Sequence, residues 1–264
     1  RHSPAPRRTT EWETVFGADL PALWALIARR HMQEYGTRRE DFARMSVLAH
    51  EMGSKNPRAH FRNRITLDQV LNAPPVAEPL GMLDCAPSSD GAAALVLGPL
   101  EKARRYTDTP IRIAASEVAC DTLAVQHRRD PTTLDATVFA ARAAFGRAGW
   151  DPKEIRLAEI HDAYSISGLL ALEDLGFVAK GAGGSALRDR SFGPGDTLTV
   201  NSSGGLKAQG QPFGAVGVAQ VVELVEQLRG EAKERQVSGV TRALSHNLGG
   251  TGATAAIHLL ERTN

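Results

Sequence analysis

The chain is poor in the residues that build disulfide frameworks, metal clusters and membrane spans. Its 264 residues contain 2 cysteines. Cys85 and Cys120 are far apart and lack metal-ligand spacing, which marks them as free thiols of a reducing, cytoplasmic compartment. No apolar run approaches the roughly 20 residues a membrane-spanning helix needs, so no membrane association is expected. The formal net charge is only +1 and basic residues are scattered among acids, leaving no electrostatic footprint for nucleic acid. Residues 1–8 carry no apolar core and read as a loop remnant rather than a signal peptide.

What is present is the composition of an ordinary globular protein, 42% hydrophobic and 23% charged. The length suits one large domain or two small ones. Two stretches differ in grammar, 1–108 and 109–264. The first is mostly helical. Pro21 opens a helix that Gly36 stops, and a second helix over 39–53 has Phe42, Met45, Val47, Leu48 and Met52 on its apolar face. A capped turn over 66–71 and a loop over 79–91 follow, then an apolar segment, 92–97, expected to be a short buried strand.

From residue 109 strands and helices alternate: strand 111–120, helix 134–149, strand 157–161, helix 165–175, strand 197–201, helix 213–229, then strands 241–245 and 254–259. That order predicts a mixed, mostly parallel sheet with three helical crossovers and a final hairpin. Helix 213–229 is apolar around much of its girth, which predicts burial between two sheets. Strand 92–97 has no sheet of its own in the first stretch, and its backbone needs partners from elsewhere.

Three polar turns each follow a predicted strand: His161-Asp-Ala-Tyr164, the glycine-rich 201–217, and His246-Asn-Leu-Gly-Gly250. A glycine-rich turn between strand and helix gathers backbone N–H groups at the positive end of a helix dipole. Gly181-Ala-Gly-Gly184 lacks the strand and acidic partner of a dinucleotide site and is expected to be a flexible loop. His50, His60 and His127 have no ligand spacing, so no metal is expected.

Together the three turns resemble the C-terminal half of the thiolase superfamily, closest to its sterol-carrier and lipid-transfer branch. The resemblance implies an α/β thiolase fold with αβαβα layers. This chain would supply the complete C-terminal βαβαβαββ half, the helical loop region, and the last strand of an N-terminal half otherwise missing. The missing half would be fragment loss or the contribution of another polypeptide. In thiolases a cysteine thiolate attacks a thioester while the histidine of a Gly-His-Pro motif takes the thiol proton. Here that motif is Gly210-Gln211-Pro212, and a glutamine amide donates a hydrogen bond but takes no proton.

Matched motif by motif, the resemblance assigns catalytic roles to His161, Tyr164, Gln211 and His246. His161 and Gln211 would be donors to a thioester oxygen, and Tyr164 or His246 the acid or base, His246 near neutral pH. Ser203, Gly204, Gly205, Asn247 and Gly249 would contact substrate. Cys85 falls in a packing segment of the family; Cys120, which ends strand 111–120, is expected in the core.

The implied reaction is retro-aldol cleavage of a bulky, steroid-type β-hydroxyacyl-CoA without a cysteine acyl-enzyme. The alternatives are a 3-ketoacyl-CoA thiolase with its nucleophile upstream, or a non-catalytic subunit completing a split fold. No cofactor is implied beyond coenzyme A as part of the substrate. The family further implies a homodimer and a partner carrying a zinc-ribbon and OB-fold acyl-CoA-binding module.

Overall fold

Short-range capping sets the first helices of the computed structural model, which describes residues 13–190 and 192–263; residues 1–8, expected to be a loop remnant, lie outside them. Asp19 accepts a hydrogen bond from Ala22 N (3.1 Å) to start α1 (Leu20–Tyr35), and Gly36 ends it at φ 68°. Helix α2 (Arg39–Gly53) opens with Arg38 N donating to Asp41 Oδ2 at 2.8 Å. A reciprocal Thr66–Gln69 capping box starts α3 (Leu67–Leu71). A small hairpin, β1 (Pro75–Ala77) and β2 (Leu80–Gly81), and a single turn, α4 (Leu100–Ala103), complete the first stretch.

The second stretch runs β3 (Ile111–Cys120), α5 (Asp135–Ala148), β4 (Leu157–Glu159), α6 (Ser165–Asp174), α7 (Gly183–Asp189), β5 (Thr199–Val200), α8 (Gly205–Gln209), α9 (Val216–Arg229), β6 (Arg242–Gly249) and β7 (Thr254–Arg262). The sheet order is β3-β7-β6-β4-β5. β4 pairs in parallel with β5 and β6, while β7 runs antiparallel to both of its neighbours, β6 and β3. Four strands therefore share one direction and β7 alone reverses, the mixed sheet and closing hairpin expected from the alternation of elements. Side-chain alternation feeds two cores. Leu157, Ala243 and Leu260 pack with Leu224 and Leu228 of α9, whereas Ala158, Leu244 and Leu259 join the larger core shared with α1, α2, α5 and α6.

Several expectations need correction. Segment 92–97 forms no strand; Leu95, Val96 and Leu97 are exposed, and no strand among the described residues closes a ladder with it. Residues 183–184 do not loop freely but begin α7. Gly183 N donates to Glu173 Oε1 at 2.8 Å, and a Cβ on Gly183 would lie 2.7 Å from that same oxygen, so close packing selects glycine there. Helix α9 starts at Val216 rather than 213, after a turn in which Ala215 N donates to Pro212 O. Its outer residues Val218, Val222 and Val225 stay half-exposed, with no second sheet over them among the described residues. Strand β6 runs through Gly249, so His246 lies within a strand and not in the turn after it. No helix among the described residues is long and apolar enough to cross a membrane.

Candidate active site

Parallel strands β4, β5 and β6 end side by side, and in open α/β sheets ligand crevices form beyond such carboxyl ends. Glu159 of β4 is in register with Ser245 of β6, so His246, one residue on, and His161, two residues on, come together at the strand ends. His161 N lies 3.5 Å from His246 Nδ1 and donates to it. An accepting Nδ1 leaves the ring proton on Nε2, which donates to Thr137 Oγ1 of α5 at 3.0 Å. His246 is completely buried. Burial, and then the neighbouring His161, lower its pKa to about 3. The ring is thus neutral with both nitrogens engaged, which corrects the expectation of an acid or base titrating near neutral pH. Asn247 faces the other side of the sheet, as the two-residue period of a strand requires, and its Nδ2 donates to Gln220 Oε1 of α9 at 3.0 Å. Gly249 closes β6 opposite Thr254. Neither Asn247 nor Gly249 therefore shares the face of His246.

The glycine-rich turn is welded to the His161 loop. Asn201 adopts φ 53°, a left-handed conformation that asparagine tolerates better than most residues. Its Oδ1 accepts from Ile160 N at 2.7 Å and its N donates to Ala158 O at 2.8 Å. Ser203 N and Oγ donate to Glu159, Gly204 N donates to Asn201 O, Gly205 N to Ser203 Oγ, and Leu206 N to Asp162 Oδ1. The turn was expected to offer N–H groups to a ligand through Ser203, Gly204 and Gly205. Instead these groups bond within the protein, and the turn forms a rigid buried wall behind His161. A Cβ on Gly205 would stand 2.5 Å from both Asn201 Nδ2 and Asp162 Oδ2, so this wall admits no larger residue.

A strap around Cys85 reaches the other two predicted residues. Ala86 N donates to Ala163 O at 2.8 Å, and Gln211 N donates to Pro87 O at 3.2 Å. Tyr164 caps α6, its ring stacked on Trp24 of α1 with centroids 5.9 Å apart. Gln211 is half-buried; its neighbours Gly210 and Pro212 line a cavity of about 270 Å³ together with Glu159, Val216 and Gln220. The structure thus joins His161 to His246 directly, and Tyr164 and Gln211 to the His161 loop through the strap.

Residues that sequence reasoning missed carry much of the electrostatics. Lys207 is buried and its ammonium donates to Asp84 O. Burial lowers its pKa while Asp162 and Asp84 oppose the fall. Asp162 is fully buried and pushed up to about 6 by desolvation, with Lys207 opposing. Arg39 pairs with Asp84, whose Oδ1 also accepts from Ser165 Oγ at 2.7 Å. The Cys85 thiol is half-buried and raised by burial, which does not favour a nucleophile. The sequence signals for this cluster were an acid following His161 and a lysine as the one charged residue of the glycine-rich turn 201–217. Among the described residues no group of three or more His, Cys, Asp or Glu is placed to hold a metal ion.

A family model described as "Thiolase C-terminal domain-like" matches residues 117–262. The acetyl-CoA acetyltransferase of Methanothermobacter thermautotrophicus is 54% identical over 252 residues, covering 96% of this chain and 66% of the relative. Rabbit (Oryctolagus cuniculus) sterol carrier protein 2 is 38% identical over 239 residues, 88% of this chain and 44% of the relative. Among solved structures, the Ltp2-ChsH2(DUF35) aldolase superposes with a TM-score of 0.85 at 27% identity, over 95% of this chain and 65% of that one. The chain therefore spans about two thirds or less of the length of the proteins it matches. With a matching family model, matching relatives and the same α/β sheet, it belongs to the thiolase family, in the thiolase-like branch of the sterol carrier proteins.

Proposed function

We propose that the chain forms the C-terminal half of an acyl-CoA carbon–carbon lyase that cleaves a bulky, steroid-type β-hydroxyacyl-CoA by a retro-aldol reaction. The observation that carries this reading is Gln211 between Gly210 and Pro212, where a thiolase needs a histidine to take a thiol proton. The likeness to an aldolase at a TM-score of 0.85 supports it. In the reaction the β-hydroxyl loses its proton, its oxygen becomes the product carbonyl, and the Cα–Cβ bond breaks. The electron pair passes to a thioester enolate, which is then protonated at Cα. Tyr164 carries the proton transfer, because His246 is neutral and held by Thr137. His161 and Gln211 hold the thioester oxygen as charge builds on it.

A second reading, acetyl-CoA acyltransferase, is favoured by the 54% identity to an acetyl-CoA acetyltransferase. It requires another base in place of Gln211. The same family reading proposes a dimer and an acyl-CoA-binding partner chain, with coenzyme A entering only as part of the substrate. Segment 94–97 and Val222 and Val225 of α9 line an exposed groove of about 400 Å³ that is open to a further α/β half.

The test is release of an aldehyde or ketone from a β-hydroxyacyl-CoA. A Tyr164→Phe variant is expected to lose roughly 100-fold or more of that rate, the usual worth of a positioned acid or base. Full rate in the variant removes Tyr164 from the reaction.

A further inference from the structure

Two carboxyl groups lie buried behind the site, and neither belongs to the proton transfers described above. Glu159 ends β4, Glu223 sits on α9, and each is about 1% exposed. Ser202 lies between them, its Oγ 3.2 Å from Glu159 Oε1 and 3.0 Å from Glu223 Oε1. A serine hydroxyl has one proton and can donate to only one of the two. Glu223 has its own cation: Arg235 Nε lies 3.1 Å from both of its oxygens, with Arg58 at 3.6 Å and Gln227 Nε2 at 3.1 Å. Glu226, the remaining charged neighbour, pairs with Arg58 and Arg235. Glu159 has no cation among its described partners. It accepts from Ser203 N at 3.0 Å and Ser203 Oγ at 2.6 Å, and Gln220 Nε2 reaches its backbone carbonyl at 3.4 Å. If both carboxyls were ionised, one Ser202 contact would set lone pair against lone pair in a buried space.

We infer that Glu159 is a positioning residue of the proposed active site: it holds a proton and donates it to Ser202 Oγ, which in turn donates to Glu223, and this chain fixes the Asn201–Gly205 turn against the His161 loop. Every contact then has one donor and one acceptor. Burial, and next the Glu223 charge, raise Glu159 to about 8, in the same direction as this proton count. The consequence reaches both histidines. Gln220 Nε2 bridges the carbonyls of Glu159 and His246, and Asn201 ties Ile160, the residue before His161. As pH rises through the ionisation of Glu159, the second negative charge opposes Glu223 across Ser202 and loosens the turn.

The inference rests on the proposed function only for the word active site, and its test needs no substrate. Infrared spectra of the full chain at pH 7 are expected to show a protonated-carboxyl band that is lost in Glu159→Gln. Glutamine's NH2 donates to Ser202 at every pH but cannot accept from Ser203 N as Glu159 Oε1 does, which sets a fixed offset. On top of it, the stability of the variant relative to the parent should rise between about pH 4.5 and pH 8 and stay constant above. Glu159→Ala, which cannot donate, should be less stable than the parent at pH 6. In the parent, NMR signals of His161 and His246 should shift between pH 7 and pH 9, and in Glu159→Gln they should stay fixed. Parallel stability curves for parent and Glu159→Gln would overturn the inference. So would the absence of a protonated-carboxyl band in the parent, a result that can be read even if the variants do not fold. Failure of the β-hydroxyacyl-CoA assay would leave these outcomes intact.

Discussion

Replacing Gly204 with alanine probes how tightly the glycine-rich turn is held against the helical region. Gly204 adopts φ 98°, and an added Cβ would lie 2.7 Å from Gly53 Cα and 2.9 Å from Gly53 N, both backbone atoms of α2. Side chains can rotate away from such an approach, but a helix backbone cannot. Two costs add: about 1–2 kcal/mol for a left-handed alanine and about 1–3 kcal/mol for overpacking against a fixed neighbour. The sum, about 2–5 kcal/mol, corresponds to a fall in Tm of about 4–20 °C at this chain length. Gly230 supplies the control. It also has positive φ, 79°, but nothing lies within 4 Å of its built Cβ, so Gly230→Ala bears only the backbone cost. Thermal denaturation of both variants beside the parent isolates the packing contribution, with Gly204→Ala the less stable by about 1–3 kcal/mol. Equal losses would refute the claim that α2 and the turn are in rigid contact.

Two other substitutions test the buried groups around the histidines. Thr137→Val removes the acceptor of the His246 ring proton and leaves a buried N–H unpaired, so urea denaturation should show a loss of about 1–3 kcal/mol. Asp162, raised to about 6 in the fold, binds its proton more tightly there than in the unfolded chain. Its contribution to stability is therefore present below its unfolded value near 3.8 and is lost as pH rises through about 6. Relative to Asp162→Asn, the parent should weaken between pH 4 and pH 6 and hold a constant difference above that. Curves that stay parallel across the window would contradict the burial argument.

Local signals made much of the fold legible. Helix 39–53 and strand 111–120 were readable to the residue, because the apolar face, the extended run and their flanking breakers are encoded within a few positions. The neighbourhood of His161 and His246 was legible as well, since both follow from strand order at the carboxyl ends of a parallel pair. Long-range partnership was not. Thr137 meets His246 across 109 positions, and no periodicity in α5 marks that contact. Glu159 stands between buried Ala158 and Ile160, which signals a buried partner but does not say that it is Glu223. Segment 92–97 has the composition of a strand, yet composition cannot supply the neighbour that a ladder needs.

The most direct measurement follows both products of a β-hydroxyacyl-CoA incubated with the purified chain, alone and with a candidate partner, in the presence and absence of free coenzyme A. A retro-aldol lyase built around Gln211 releases the carbonyl product and the shortened acyl-CoA at the same rate whether or not free coenzyme A is added. Cleavage of a 3-ketoacyl-CoA that requires free coenzyme A, with the β-hydroxyacyl-CoA left intact, would contradict the account.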